Sequence, residues 1–242
     1  MERTNGYAAS ISIALRYIIN QVKISVVIPA FNEEKYIAAC LTRLFDQIEK
    51  PDEVIVIDNF STDKTSEIVK KFRVTLIEEK CKGIAHARDK GFNLAKGDVI
   101  ARCDADSLVP SDWIKKIKRN FAQGKIDGLL GPISYYDLAF KSTIYSKIFI
   151  HFMHFLQGYH TLIGNNMAIT KSVWQKVKNQ VCSEINIFHE DIDLAIHVKK
   201  AGGIIRYDPS LVSYTSGRRI AKNPLSFFIE YPWWLVKTLT GH

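Results

Sequence analysis

The sequence predicts an α/β fold, a mostly parallel β-sheet flanked by helices and forming a single domain. Two patterns favour this class. Between residues 24 and 101, short runs rich in Val and Ile alternate with segments whose apolar residues have helical spacing, and the connections are short. Polar residues also follow three of the four predicted strands directly. Because the carboxyl ends of parallel strands share one edge of a sheet, we expect these side chains to form a ligand site there.

The first half of the chain contains four predicted strands. Each is short and aliphatic, and each is bounded by turn-forming residues. Their ranges are Ile24–Ile28, Val54–Ile57, Val74–Ile77 and Val99–Ala101. Pro29 ends the first of them in this interpretation, because proline has no backbone N–H to donate to a neighbouring strand.

Three helices connect these strands. Asn32 is the expected N-cap of the first, and Glu33 then lies near the positive end of the helix dipole. The apolar residues that follow, from Ile37 to Ile48, have the spacing of one buried face. The second helix runs from a Ser61-Thr62-Asp63 cap to Phe72, and the third runs from Gly83 to Ala95.

Composition restricts the class of protein. A chain of 242 residues can bury one large core. The four cysteines lie far apart without a Cys-x-x-Cys pair, which argues against a zinc ribbon or a disulfide framework and fits a reducing cytosol. No convincing signal peptide is found, and no apolar run reaches the roughly 18 residues that span a bilayer. The net charge of +8 indicates an anionic partner, either nucleic acid, a phosphorylated substrate or a membrane surface.

Two acidic residues follow the fourth strand. Asp104 and Asp106 lie where that strand leaves the sheet, and the small Ala105 between them permits the bend that would bring both carboxylates together. Such a pair can hold a hard divalent cation, with water and a substrate phosphate as the other ligands. Asp-x-Asp also occurs by chance in many loops, so the surrounding residues must decide between these interpretations.

Two common nucleotide-binding motifs are absent. No Gly-x-Gly-x-x-Gly follows the first strand, which argues against a dinucleotide cofactor, and no Gly-x-x-x-x-Gly-Lys-Ser/Thr is present, which excludes the phosphate-loop NTPases. A phosphate would therefore be held by a metal and by basic side chains such as Arg88.

Six short motifs occur in the order typical of one enzyme family. The chain resembles the family 2 glycosyltransferases of the GT-A fold over roughly residues 23 to 215. The motifs are Val27–Glu33, Val56–Thr65, Ala87–Gly91, Asp104–Asp106, Gly164–Ala168 and His189–Leu194. The resemblance implies transfer of a sugar from a nucleoside-diphosphate sugar, with UDP favoured over GDP, and a divalent metal, Mn²⁺ or Mg²⁺.

The resemblance also implies roles for individual residues. Asp58 would hydrogen-bond the nucleotide base, in a pocket also lined by Pro29, Phe31 and Glu33. Arg88 would lie near the base and diphosphate. Asp104 would lie by the ribose and metal, and Asp106 would bind the metal directly. Two of these have alternatives: Glu33 could simply favour a helix N-terminus, and Arg88 could pair with Asp89 or Glu78 on the surface.

Asp191 falls where inverting members of that family keep their general base. It begins a predicted helix from Glu190 to about Ala201, which is largely buried because apolar residues cover most of its surface. A carboxylate there could accept the proton of an attacking hydroxyl. The alternative is that both acidic residues merely complement the helix dipole.

Three segments remain outside these motifs. Residues 1–22 are expected to form a loosely docked helical arm. Leu138–Leu162 is rich in aromatic residues, and the stripe Ile144, Ile148, Phe152 and Phe155 is typical of core, with an acceptor groove or a membrane contact as alternatives. Residues 218–242 combine basic and aromatic residues, which suits either an anionic membrane interface or packing in a homo-oligomer.

The predicted organisation is therefore an arm (1–22), a GT-A domain (23–217) and a basic, aromatic C-terminal helix (218–242). Within the domain, residues 23–110 would bind the nucleotide-sugar and residues 111–217 a glycan or lipid-linked acceptor. The predicted location is cytoplasmic, with peripheral attachment to the cytoplasmic membrane face and without a nucleic-acid partner. A sugar nucleotidyltransferase and a non-catalytic, membrane-recruited binding module remain the alternative classes.

Overall fold

The computed structural model describes residues 19, 21–138, 141–182 and 189–222. The strands in this part of the chain are β1 Ile24–Ala30, β2 Glu53–Asp58, β3 Thr75–Glu78, β4 Val99–Arg102, β5 Gly128–Leu130, β6 Ile133–Tyr135, β7 Met167–Thr170, β8 Ile205–Tyr207 and β9 Ser213–Thr215. The helices are α1 Ile37–Phe45, α2 Thr65–Val69, α3 Ile84–Leu94, α4 Trp113–Gln123, α5 Ile144–Gln157, α6 Lys171–Val177, α7 Glu190–Lys200 and α8 Arg218–Lys222.

Seven strands form the main sheet in the order β3-β2-β1-β4-β7-β5-β8. Strands β1 to β4 are parallel, and of the seven strands β7 alone runs in the opposite direction. The predicted mostly parallel sheet is therefore confirmed. The carboxyl ends of β1, β2 and β4 lie side by side at one edge, which places the polar residues that follow them together. A second sheet pairs β6 with β9.

Helices cover both faces of the main sheet, as the continuous burial along β1 requires. Ile24, Val26 and Ile28 pack on one face with residues of α1 and α4, whereas Val27 packs on the other with residues of α3, α6 and α7. Helix α3 approaches the sheet very closely, because a Cβ atom added at Gly91 would lie 2.3 Å from Val27 Cγ1. This contact fixes the position of α3 beside the edge that carries the polar residues.

Three predicted boundaries in the first half were wrong by a few residues. Strand β1 continues through Pro29, which pairs with Ile57. This is tolerated because β4 pairs only as far as Val27, so the strand has one neighbour at Pro29. Helix α1 begins at Ile37 and not after Asn32, whose φ of 55° places it in a left-handed bend. Helix α2 ends at Val69 instead of Phe72.

The aromatic segment forms α5, but its predicted core stripe is exposed. Ile144, Ile148, Phe152 and Phe155 all point to solvent, and the buried residues of the helix are instead Ser146, Ile150 and Met153. Helix α7 is confirmed with its buried central turns. Within the described residues, no helix has both the length and the apolar character needed to cross a membrane.

The three-part division of the chain stays a prediction. Nearly all of the predicted arm lies outside the described residues, as does the C-terminal segment 223–242. Only the start of the predicted C-terminal helix is described, as α8.

Candidate active site

The loops that follow β1 and β2 hold each other in place. Asn32 Oδ1 accepts a hydrogen bond from the Thr62 backbone N–H at 2.8 Å, and the Asn32 N–H donates to Ser61 Oγ at 2.9 Å. The Glu33 N–H donates to Thr65 Oγ1 at 2.7 Å. Asn32 is thus a bridge between two loops and not the N-cap that the sequence predicted. The bridge builds a fixed rim at the edge of the sheet.

Asp58 ends β2 inside this rim. The side chain is buried, Oδ1 accepts from the Ser61 N–H at 3.0 Å, and Oδ2 accepts from the Ser66 hydroxyl. Asp58 borders a cavity of about 470 Å³, a volume in the range of small-molecule sites. The residues that line this cavity are Asp58, Phe60, Ser61, Thr62, Ser66, Lys70, Leu76 and Glu78.

Pro29, Phe31 and Glu33 do not line that cavity, although all three were expected to share one pocket with Asp58. Pro29 is buried within β1, and its neighbour in β2 is Ile57. Phe31 is 51 % exposed at the start of the bend. The Glu33 carboxylate is bound by Arg218. These three residues therefore lie outside the cavity that Asp58 borders.

Asp106 lies on a polar wall beyond β4. Its Oδ1 accepts from the Thr215 hydroxyl at 3.0 Å, and its Oδ2 lies 3.5 Å from Arg218 Nη2. Burial raises the pKa of Asp106 to about 6, and the nearby carboxylates of Asp104 and Glu33 add to this, although Arg218 and Thr215 favour ionisation. The position therefore concentrates negative charge that Arg218 only partly neutralises.

Arg218 connects α8 to the loop after β1. Its guanidinium binds both oxygens of Glu33, with Arg218 Nη1 2.7 Å from Oε2, and its carbon lies 4.6 Å from the centre of the Tyr36 ring. The structure shows a partly buried arginine with two carboxylate partners.

A buried ion-pair network lies beneath the edge of the sheet. Glu190, at the start of α7, forms ion pairs with two arginines. Its Oε2 lies 2.7 Å from Arg88 Nη1, and its Oε1 accepts a hydrogen bond from Arg102 Nη1. Arg102 Nη2 also lies 3.3 Å from Asp104 Oδ1, and Arg88 binds Asp89 at 2.8 Å. Both arginine side chains are almost fully buried. The network therefore connects the Asp104 loop to the first turn of α7.

This network corrects one prediction. Arg88 was expected near the base and diphosphate, but its guanidinium is buried and bound to Glu190 and Asp89. The Arg88 guanidinium is thus not accessible to a nucleotide in this arrangement. The predicted alternative was right about Asp89 as the partner and wrong about a surface location.

Sequence reasoning missed Arg102, and it treated Glu190 only as a neighbour of Asp191. The sequence contains a signal for Arg102. Arg102 continues an apolar strand and is followed by Cys103, so its charge had to be buried, and a buried charge requires a partner. Burial alone would raise the pKa of Glu190, but Arg102 and Arg88 outweigh it and hold that pKa below its usual range. Glu190 is therefore ionised and fixed.

Asp191 is held in the turn that begins α7. Its Oδ2 accepts from the Gly164 N–H at 3.0 Å, and its Oδ1 accepts from the Ile192 N–H at 2.9 Å. Burial raises the pKa of Asp191, and the negative charge of Glu190 adds to the shift. The site thus contains one carboxylate made more basic by its surroundings, next to one that is ionised and paired.

The loop that touches Asp191 is itself fixed by Asn166. Asn166 Oδ1 accepts from Trp113 Nε1 at 2.9 Å, and its amide donates to the backbone oxygens of Pro132 at 3.0 Å and Leu211 at 2.6 Å. The side chain is fully buried. The motif Gly164–Ala168 therefore has a structural role, since Asn166 anchors the segment that presents the Gly164 N–H to Asp191.

Asp106 and Asp104 are the two carboxylates that the sequence predicted as ligands of a divalent cation. No group of three His, Cys, Asp or Glu side chains is arranged to hold a metal in the described ranges 21–138, 141–182 and 189–222. Burial raises the pKa of Asp106, and the nearby carboxylates of Asp104 and Glu33 add to the shift, so the position fits a hard cation whose remaining ligands come from substrate and water.

The sequence model described as Glycosyl transferase family 2 matches residues 25–183. One curated relative is the glycosyltransferase GlyA of Streptococcus pneumoniae serotype 4, which is 26 % identical over 159 residues. The match covers 63 % of this chain but only 22 % of GlyA, so the chain spans about a fifth of that relative's length.

Solved structures share the fold. The Pyrobaculum calidifontis mannosyltransferase PcManGT, solved with GDP-Man and Mn²⁺, superposes with a TM-score of 0.71 at 20 % identity, covering 91 % of this chain and 64 % of that one. The Staphylococcus aureus protein TarS, residues 1–349 with UDP-GlcNAc, superposes with a TM-score of 0.66 at 21 % identity, covering 81 % and 59 %. These similarities establish a GT-A-like architecture.

Proposed function

The chain belongs to glycosyl transferase family 2, and on that premise we propose that it transfers a sugar from a nucleoside-diphosphate sugar to an acceptor hydroxyl or lipid phosphate, with inversion at the anomeric carbon. One observation carries the proposal. The Asp104 side of the site is connected to the Asp191 side through Arg102 and Glu190. A group that contacts a leaving diphosphate and a group that accepts a proton are thus held at a fixed separation.

The donor would bind at the edge formed by β1, β2 and β4. Asp58 borders the neighbouring cavity between β2, β3 and α2, and it would accept a hydrogen bond from the base. We propose a UDP-sugar, as the family motifs favour. TarS with UDP-GlcNAc supports uridine, whereas PcManGT with GDP-Man makes a guanosine donor the alternative.

The diphosphate would lie against Asp104, Asp106 and Arg218. Asp106 and Asp104 would hold Mn²⁺ or Mg²⁺, which when bound supplies positive charge to the departing diphosphate. Arg218 contributes a second positive charge 3.5 Å from Asp106. Because Arg218 also binds Glu33, donor binding is coupled to the position of α8.

Asp191 would act on the acceptor. Its raised pKa, caused by burial and by Glu190, makes it a better proton acceptor than a solvated aspartate. As the acceptor oxygen bonds to the anomeric carbon, the bond to the diphosphate oxygen breaks and the hydroxyl proton passes to Asp191. A single displacement of this kind inverts the anomeric centre. Glu190 stays ionised and holds the turn that orients Asp191.

Ligand-dependent thermal stabilisation tests the donor part of the proposal. UDP, GDP and their sugar conjugates are added with and without Mn²⁺ to the wild type and to Asp58→Ala. We expect the largest stabilisation from a uridine nucleotide with Mn²⁺, and a loss of most of it in Asp58→Ala. Stabilisation without hydrolysis of any donor would favour a non-catalytic binding module. No stabilisation by any nucleotide would overturn the proposal.

A further inference from the structure

Helix α5 presents an unusually apolar outer face. Of its 14 residues, seven are large apolar residues that are exposed, and Phe155 is 83 % exposed. These residues are Ile144, Tyr145, Ile148, Phe149, Phe152, Phe155 and Leu156, called here the α5 face. Soluble monomers rarely expose so many neighbouring large apolar side chains, so the α5 face has the character of an interaction surface.

The stretch of sequence that contains α5 carries charged side chains of one sign only. Residues 138–183 contain no Asp or Glu. The same stretch carries five lysines and three histidines, namely Lys141, Lys147, Lys171, Lys176, Lys178, His151, His154 and His160. Two copies meeting through this face would bring Lys141 and Lys147 of each copy together with no acidic residue in either helix, which disfavours self-association. An anionic partner is complementary to it.

The α5 face is held in a fixed orientation. Ser146 Oγ donates to the Ile133 carbonyl oxygen at 2.8 Å and accepts from the Ile133 N–H at 3.0 Å. Met153 packs with Ile192 and Ile196 of α7, the helix that begins with the Glu190-Asp191 pair. The inner side of α5 therefore packs against the protein. Its outer side is exposed and lies near the start of α7, where the acceptor is proposed to bind.

We propose that the α5 face docks on an anionic lipid surface. Aliphatic and aromatic side chains on one side of a helix, flanked by lysines and free of acidic residues, match the chemistry of the interface between headgroups and acyl chains. The docked helix would bring Asp191 towards the bilayer through its packing on α7. The consequence that the acceptor is lipid-linked rests on the proposed function.

Vesicle flotation of the 242-residue chain tests this inference. Vesicles of phosphatidylcholine alone are compared with vesicles containing about one third phosphatidylglycerol. The double variant F152S/F155S removes two exposed rings. The matched control I48S/I204S removes two side chains that are 65 % and 55 % exposed elsewhere.

We expect the wild type and the control to float with the anionic vesicles, and F152S/F155S to partition at least about tenfold less. A second variant, K141Q/K147Q, should also partition less, while keeping every apolar side chain. If F152S/F155S fails to fold, K141Q/K147Q alone decides the result, with normal partitioning counting against the proposal.

Other outcomes overturn the proposal. The proposal is overturned if the wild type does not float with anionic vesicles. It is also overturned if the wild type and F152S/F155S float equally. A wild-type dimer that becomes monomeric in F152S/F155S, without vesicle binding, would assign the face to a second copy. Thermal stabilisation by UDP is measured on the same samples. The α5 face does not border the Asp58 cavity. A lack of stabilisation by UDP would therefore count against the proposed donor and not against lipid docking.

Discussion

Arg218 binds both carboxylate oxygens of Glu33, a residue 185 positions earlier in the chain. The same guanidinium lies 3.5 Å from Asp106 Oδ2. One side chain thus joins the loop after β1, the acidic residues after β4 and helix α8. We infer that α8 and the donor site act as one unit.

Arg218→Ala should weaken the binding of UDP with Mn²⁺ by about tenfold, because it removes a cation from the expected diphosphate position. Arg218→Lys keeps the charge but not the two-point contact with Glu33, so we expect an intermediate affinity. Isothermal titration calorimetry of the three proteins measures this. Equal affinities in wild type and Arg218→Ala would show that α8 takes no part in donor binding.

Mn²⁺ should bind weakly to the nucleotide-free protein and at least about tenfold more tightly when UDP is present. In the described part of the chain the proposed site offers the carboxylates of Asp104 and Asp106, with Arg218 beside the latter, so the nucleotide and water would complete the metal's ligand shell. Calorimetric titration with and without UDP provides the comparison. Asp106→Asn should abolish the enhancement, whereas Asp112→Asn, in the exposed pair with Lys116, should keep it. Tight binding without nucleotide would reveal a ligand that this account lacks.

Glu190→Gln should lower the free energy of unfolding by about 3 kcal/mol, because it leaves two buried arginines without their shared carboxylate. Asp112→Asn breaks the exposed pair with Lys116 at 2.9 Å and should change stability by less than about 0.5 kcal/mol. Urea denaturation of the three proteins gives both values. A loss below about 0.5 kcal/mol in Glu190→Gln would mean that the network contributes little to folding.

The stabilising effect of Glu190 should also depend on pH in a defined direction. Arg102 and Arg88 hold its pKa below the ordinary 4.5 despite burial, so the folded state favours the ionised form. The contribution is therefore complete well above pH 4.5 and declines as pH falls through the folded-state pKa. Unfolding measured across this range should show the wild type and Glu190→Gln converging at acid pH. A difference that grows on acidification would contradict the ion-pair assignment.

The sequence was sufficient for the four parallel strands β1 to β4 and for the positions of the polar strand ends, but not for β5, β7 and β8. Strands such as β1 and β4 are aliphatic throughout, and the residues that follow them can leave the sheet at one edge only. The acidic pair at the start of α7 was equally visible, because buried apolar residues continue from it with helical spacing. Local pattern and tertiary structure agree in these elements.

Pairing between distant residues was not predictable in the same way. Asn32 has the residue type of an N-cap, yet its side chain bonds Thr62 and the helix begins later. Arg88 has the appearance of a phosphate ligand, yet Glu190, 102 positions away, takes its guanidinium. In both cases the partner is supplied by another part of the fold, which spacing within one motif does not reveal.

The prediction that the apolar stripe of α5 is buried was wrong for a different reason. Ile148 and Phe152 have the spacing of a buried face, and periodicity shows that a helix has an apolar side without showing what covers it. In the structure, Ile150 and Met153 form the inner side and the stripe faces outward.

Turnover and donor affinity of Asp191→Asn, measured together, test whether Asp191 is the general base. Asparagine keeps the shape and an acceptor for the Gly164 N–H but cannot take a proton. We predict a turnover at least about a hundredfold lower with UDP affinity nearly unchanged, and no such loss in Asp46→Asn, which alters an exposed aspartate after α1. Turnover of Asp191→Asn within a few-fold of wild type would contradict the assignment of Asp191 as the base and would indicate an acceptor that is already ionised.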